Sequence, residues 1–317
     1  MPAPTNTYLT TNIVSMKEDV ADALYYVEPM KTPIQTLAKR LKADNTLHEW
    51  ITQTLNAPSP NNATPEGDDA AANAPISGVR RGNYTQILSK VAFVSGTADK
   101  VAQYGTKTRM AQQIRDKSRE LKRDLEASIT ANKAKSGTDP RNFAGLPAWL
   151  LTNVDFNSAG TPAGANPTGD GTTTRVYSGT TLPFTEARLK NVLQLAFNNG
   201  ANPTTAVLPA QQKQILSAFS GPGTRFVQVD DDVLKTAVAV YESDFGQLKA
   251  VPAQNGMINS TDIWILDPDM IGLAYLRPFT TIPLAATGDA QKREMLMEVT
   301  LQISNEKAHA LITDCTA

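Results

Sequence analysis

TRMAQQIRDKSRELKRDLEASITANKAK, residues 108–135, is the stretch that decides the fold. Met110, Ile114, Leu121, Leu125 and Ile129 recur at helical spacing, and Gly137 follows as a stop. The other positions are dense in charge: Arg115, Lys117, Arg119, Glu120, Lys122, Arg123 and Asp124. A helix this long with one narrow apolar stripe is not buried all round. The spacing predicts a single long helix lying across something flat.

Upstream, HEWITQTL (48–55) and RGNYTQILSKVAFVSG (Arg81 to Gly96) read as strands. Between them NAPSPNNATPEGDDAAANAPISG (56–78) has too little apolar content to pack a core. Two strands around a long polar excursion predict an extended β-arm. Further upstream, SMKEDVADALYYV (15–27) carries a capping box at Ser15 and Glu18. A second helix is expected after Thr32, with Pro33 at its first position and Ile34, Leu37 and Leu41 as its stripe.

Downstream, a Gly/Thr/Pro-rich stretch from Asn157 to Thr181 reads as an exposed loop, and an α/β section follows. Leu189, Val192, Leu193, Ala196 and Phe197 match the helical template, with Gly200 as terminator. TAVLP (205–209) is a short strand, and a helix runs from Pro209 through Phe219. RFVQV, TAVAVYESDFGQLKAVP and DIWILDP read as strands, the middle one a hairpin turning near Asp244-Phe245-Gly246. Ile263 to Leu266 is continuously apolar, which predicts burial on both faces. Met295, Met297, Val299, Leu301 and Ile303 alternate with Leu296, Glu298, Thr300, Gln302 and Ser304, the pattern of a half-buried strand. A turn at Ser304–Lys307 then brings AHALIT back as its expected antiparallel partner.

The chain has 317 residues and 41% hydrophobic composition, enough for one elaborated domain or two. Its net charge of −1 lacks the basic surplus of a protein that grips nucleic acid through phosphates. Cys315 is the only cysteine, so no intramolecular disulfide is expected. The start has neither the basic nor the apolar region of a secretory signal, and no apolar run is long enough to span a membrane. These features predict a soluble protein of a reducing compartment.

Catalytic patterns are sparse. His48 and His309 are the only histidines, and no nucleophile elbow, phosphate loop or metal-ligand spacing accompanies them. Asp230–Asp232 and Asp267-Pro268-Asp269 read as solvated turns or helix starts rather than cation sites. No cofactor is expected. In AYLRPFTTIPLAATGDAQKREML (Ala274–Leu296), Arg277 and Asp289 are candidates for ion pairs, between domains or between copies. Charge is unevenly spread. Ala43–Val79 holds five acidic residues and no Lys or Arg, whereas Lys100–Arg141 holds 11 basic residues against 5 acidic. An acidic arm and a basic helix can pair between copies of one chain, setting register more than affinity. The contact candidates are Glu66, Asp68 and Asp69 on the arm, Arg80 and Arg81 at its base, Arg115, Arg119 and Arg123 on the helix, and Arg277 and Asp289.

The strings VEPMKTPIQTL, EWITQTL, EGDDA, RGNYTQILSKVAFVSGT, MAQQIRDKSRELKRDLE, YESDFGQLKAVP, WILDPDMIGLAYLRPF and GDAQKREMLMEVTLQISNEKAHALI follow one another in an order that resembles a tailed-bacteriophage major capsid protein of the Hong Kong 97 (HK97) fold. The resemblance implies an α+β chain: N-terminal arm 1–45, extended E-loop 46–97, peripheral domain 98–180 with the spine helix 108–135, axial domain 181–275, and a return to the peripheral domain over 276–317. It implies a non-enzymatic shell protein that forms pentamers and hexamers around double-stranded DNA, built in the host bacterial cytoplasm, with portal and cement proteins as further partners. No lysine stands in Ala43–Val79, so the lysine–asparagine crosslink of some members is not expected. The alternatives are an encapsulin-like compartment of the same fold and, remotely, a soluble hydrolase using Arg277, Asp289 or His309.

Overall fold

The computed structural model describes residues 31–69, 75–101, 108–156, 166–178, 180–219, 240–254 and 256–316. The expected helix at 15–27, the strand RFVQV and the run Asp230–Asp232 lie outside the described residues.

The long helix forms as α3 (Arg109–Thr130), after the short α2 (Gly96–Lys100), and buries Met110, Leu121, Leu125 and Ile129. What lies beneath it is a four-stranded sheet of β1 (Lys39–Lys42), β10 (Ile271–Pro283), β11 (Ala290–Ile303) and β4 (Gln86–Ser95), in that order. Leu88, Ala92 and Val94 of β4 and Met295, Met297 and Val299 of β11 complete this core. The helix stops at Thr130, before the expected Gly137, because Ala131 is already extended. Gly145 fixes that exit. Its N–H donates to Lys133 O at 3.1 Å, and a Cβ there would lie 2.0 Å from the Ala131 carbonyl.

A second sheet runs β5 (Val154–Asp155), β12 (Ala310–Ile312), β9 (Ile263–Leu266), β6 (Thr205–Pro209), β8 (Gly246–Ala253), β7 (Val240–Ser243). All four residues of β9 are buried, as their unbroken apolar run predicts. Trp264 and Leu266 join the core under α3, while Ile263 and Ile265 join a second core. That second core also takes Leu189, Val192, Leu193 and Ala196 of α4 (Glu186–Asn198) and Leu216 of α5 (Ala210–Ser217). The central strands of this sheet thus serve as the shared wall of two cores.

Five expectations need correction. The second helix is short, α1 (Pro33–Leu37). Residues 39–42 instead pair in parallel with Gly272–Tyr275, where the bare Gly272 lets Leu41 approach; a Cβ there would meet Leu41 Cδ1 at 2.5 Å. Arg81 to Gly96 is two strands, β3 (Val79–Tyr84) and β4, divided at Thr85. Residues 310–312 do not pair with β11: a 3₁₀ turn at Glu306–Ala308 carries them into the other sheet, between β5 and β9. Phe197 points away from the core and stacks on Phe245 at 5.0 Å. Within the Gly/Thr/Pro-rich stretch, Pro167, Gly169, Gly171 and Arg175 are buried rather than exposed.

Two substitutions test this arrangement. Trp264→Ala removes the largest side chain of β9 and is expected to cost about 3–5 kcal/mol in chemical denaturation of the unassembled chain. His309 is fully buried, and burial pushes its pKa down to about 4 from 6.5. The unfolded chain therefore binds its proton more tightly. Stability from this group is full above about pH 6.5 and falls by up to about 3 kcal/mol as pH drops towards 4. His309→Gln should flatten that acid slope in denaturation midpoints taken across pH.

Candidate functional site: a β-ribbon, its root and the long helix

β2 (Leu47–Thr52) pairs antiparallel with β3, from Leu47 opposite Tyr84 to Thr52 opposite Val79. This two-stranded ribbon is the expected β-arm. Near its root it is seated: Trp50 packs on Trp149 at 5.3 Å, and His48 Nε2 meets Gln302 Oε1 at 2.8 Å. Away from the root it lies open among the described residues. Every described residue from Gln53 to Asp69 is exposed, and Leu55 is 90% exposed.

The ribbon leaves the four-stranded sheet at Thr85, and a buried carboxylate sits at that point. Glu298 of β11 is 3% exposed. One of its oxygens accepts the Thr85 hydroxyl at 2.7 Å and an Arg141 N–H at 3.1 Å; the other accepts Arg277 Nε at 2.8 Å. Burial alone would push the Glu298 pKa up, but the Thr85 hydroxyl and the two guanidiniums outweigh it and hold the group below the usual carboxylate range. The alternation that put Glu298 on an exposed face misses this: from Met297 to Leu301 the strand is buried on both faces. The signal that could have found it is the register itself, which the sequence does not carry. β10 and β11 slip against each other between Tyr275 and Arg277 and again between Arg277 and Thr280. Pro278, which has no N–H to give the ladder, lies in that slip. The irregularity aims Arg277 at Glu298.

The other sequence candidates separate into groups. Glu66, Asp68 and Asp69 stand exposed at the far end of the ribbon, with no ion pair among the described residues. Arg80 is paired with Glu49 across the ribbon. Arg81 is half-buried, beside a cavity of about 140 Å³ that also touches Trp149 and Lys307. Arg115 and Arg119 are exposed on α3, and Arg123 is half-buried. Asp289 lies against Gly96 at the end of β4; its carbonyl accepts Gly96 N–H at 3.1 Å, and a Cβ on Gly96 would strike its carboxylate. Arg277 and Asp289 are thus apart, and the hairpin of β10 and β11 separates them. His309 is sealed in the core, its Nδ1 accepting Asp267 N–H at 3.2 Å. Cys315 is buried as well, which pushes its thiol up to about 11. Among the described residues no group of His, Cys, Asp and Glu could hold a metal ion, and no helix is long and apolar enough to cross a membrane.

Sequence reasoning missed Thr85, Arg141 and Glu298. It also missed Glu126 of α3, whose carboxylate accepts the N–H groups of Ile34 (2.8 Å) and Gln35 (3.0 Å) and so ties α1 to the long helix.

A long helix on one sheet, a second α/β sheet, and a projecting β-ribbon rooted between them are the parts of an HK97-fold capsid protein. Solved structures share this fold: a chain of Microbacterium phage Oxtober96 (9% identity, TM-score 0.64, covering 95% of this chain and 96% of that one), the capsid of a native GTA particle (12%, 0.63, 97% and 98%) and the Cyanophage A-1(L) capsid asymmetric unit (14%, 0.61, 98% and 99%). The chain is 32% identical over 120 residues to the major capsid protein of Escherichia phage Phieco32; that match spans 38% of this chain and 34% of the relative's length. The model of the SU10 major capsid protein family matches residues 3–316, and the chain belongs to that family. It is a tailed-phage major capsid protein.

Glu298→Ala leaves two guanidiniums facing a buried gap. Because both arginines are part-exposed, the expected loss is about 2–3 kcal/mol, below the value for a fully buried pair. Its contribution is present above the ordinary carboxylate pKa and is lost as pH falls through the depressed one. Glu298→Gln should also weaken amide-exchange protection across Gly82–Ile87 while α3 keeps its own. Unchanged exchange there would separate the carboxylate from the ribbon's root.

Proposed function

We propose that this chain self-assembles through pentamers and hexamers into a closed icosahedral shell around double-stranded DNA and performs no catalysis. The observation that carries this is the β-ribbon. A polar excursion that the described residues of its own subunit leave exposed gains its stability from a neighbour, and a chain that shares burial this way is built for a shell. Membership of the SU10 major capsid protein family supports the same reading. The near-zero net charge suits a container whose wall does not trap its contents.

In this reading residues 1–45 form the arm, 46–97 the E-loop, 98–180 and 276–317 the peripheral domain, and 181–275 the axial domain. The acidic E-loop and the basic face of α3 meet between copies, with Arg115, Arg119 and Arg123 on one side and Glu66, Asp68 and Asp69 on the other. Arg80, Arg81, Arg277 and Asp289 stand where further contacts between copies form. DNA is held without sequence preference. Portal and cement proteins complete the particle, which is built in the host bacterial cytoplasm.

Electron microscopy of the purified chain under assembly conditions tests this. Shells with five- and six-coordinated capsomers, containing DNA when recovered from infected cells, are expected. A compact monomer under every condition overturns the reading. Nucleic-acid-free shells loaded with an enzyme overturn the DNA assignment while keeping the shell.

A further inference from the structure

Where the ribbon meets the body, a cavity of about 140 Å³ opens between β3 and the 3₁₀ turn at Glu306–Ala308. The ribbon brings Arg81 to it, and the body brings Trp149 and Lys307. Both cations are half-buried, and neither side chain makes an ion pair or a hydrogen bond among the described residues. A third positive charge stands close by. The Lys135 ammonium donates to Gly82 O at 2.7 Å and Asp170 O at 2.9 Å, and lies 5.7 Å from the centre of the Trp149 ring.

The carboxylates of this region already have partners. Glu306 accepts the N–H groups of Leu151 and Thr152 at 3.3 and 3.2 Å. Glu49 pairs with Arg80. The Asp170 carboxylate accepts the Thr172 N–H at 3.0 Å and the hydroxyls of Thr168 and Thr172. The Asn305 side-chain oxygen accepts the Lys307 N–H at 3.1 Å, and the buried indole N–H of Trp149 has no acceptor among the described residues. The cavity thus gathers donors and two unpaired cations without a free carboxylate. Like charges sharing one small space are relieved by an anion between them. A guanidinium offers paired N–H groups that match two oxygens of a tetrahedral oxyanion, and an ammonium can meet a third. The space is smaller than the pockets that hold drug-sized ligands, which suits an ion.

We propose that this cavity binds a small tetrahedral oxyanion of the phosphate class between Arg81 of the ribbon and Lys307 of the body. The ion touches both walls, so it fastens the base of the ribbon to the 3₁₀ turn. Both cations belong to one chain, and the proposal does not rest on the shell reading. A guanidinium has five donors, so Arg81 can hold the ion and still meet a neighbouring copy.

Titration of the unassembled full chain with inorganic phosphate, at an ionic strength held constant with chloride, tests it. A saturable rise in the thermal midpoint is expected, with slower amide exchange over Val79–Gly82 and Asn305–Ala308 and unchanged exchange in α4. Arg81→Gln and Lys307→Gln should each weaken phosphate binding at least tenfold. Arg80→Gln, which removes the neighbouring cation that Glu49 already engages, should leave it unchanged. A response that never saturates, or that persists equally in all three variants, is a general ion effect and overturns the proposal. Saturable binding that leaves exchange at both walls unchanged overturns it too, and that result is read on the wild-type chain, whatever the variants do. Whether shells form is a separate observation and alters neither outcome.

Discussion

A carboxylate with three donors around it decides where this chain stops being a sheet. Residues 79–95 have enough β-character to run on as one strand, yet they part at Thr85. There the Thr85 N–H turns to Thr46 O at 2.8 Å and its hydroxyl to Glu298. Beyond that point β4 stays paired with β11, while β3 pairs only with β2. Glu298 is too deeply buried to remain charged without partners, and Arg141 and Arg277 supply them from two other segments. Loop, hairpin and ribbon are held by one group. The direction in which the ribbon leaves is thereby fixed by polar geometry, which is directional, rather than by apolar packing, which is not.

That rigidity matters because the two cores on either side of β9 leave little freedom elsewhere. Val207, Trp264 and Leu311 pack towards α3, and their neighbours on the same strands pack towards α4 and α5. A shift of any of these strands by one residue would exchange the two sets and expose both. The body is therefore held in one register by both cores, and only exposed parts lie outside it. The ribbon is such a part: seated by Trp50 and His48 near its root, uncovered beyond Thr52.

The sequence made the local elements legible because each follows from a spacing. α3, α4, β6, β9 and the hairpin at Asp244–Gly246 all appear close to where periodicity puts them. Pairing is a different matter. Alternation marks 295–303 as a strand but cannot say that residues 310–312 pass it by, since a strand pattern carries no address for its partner. The same gap explains Leu41. Its spacing from Ile34 and Leu37 is that of a helix, and such a spacing says nothing of the bare backbone at Gly272 beside which residues 39–42 pair. The root of the ribbon was illegible for a related reason. Thr85, Arg141, Arg277 and Glu298 converge from four segments, and Glu298 sits in an alternating run where a charged residue reads as solvated. The acidic tip, by contrast, was plain in composition, because an exposed excursion obeys no packing constraint that could disguise it.

The placement of charge at the tip also says what it is for. Exposed ion pairs contribute little to affinity and weaken further as salt rises, so three carboxylates would be a poor way to hold a shell together. They serve better at choosing between neighbouring seats of similar shape. In the proposed shell a ribbon leaving a fixed root would reach only part of its neighbour's surface, and on α3 Lys117, Arg119 and Arg123 already have partners. Repulsion and indifference elsewhere then narrow the choice as much as attraction does. Strength has to come from burial of the apolar surface that the ribbon leaves open, Ile51 and Leu55 included. The division of labour is consistent with the rest of the molecule: apolar burial supplies the energy, and a small number of charges, buried at the root and exposed at the tip, decide the direction in which it is spent.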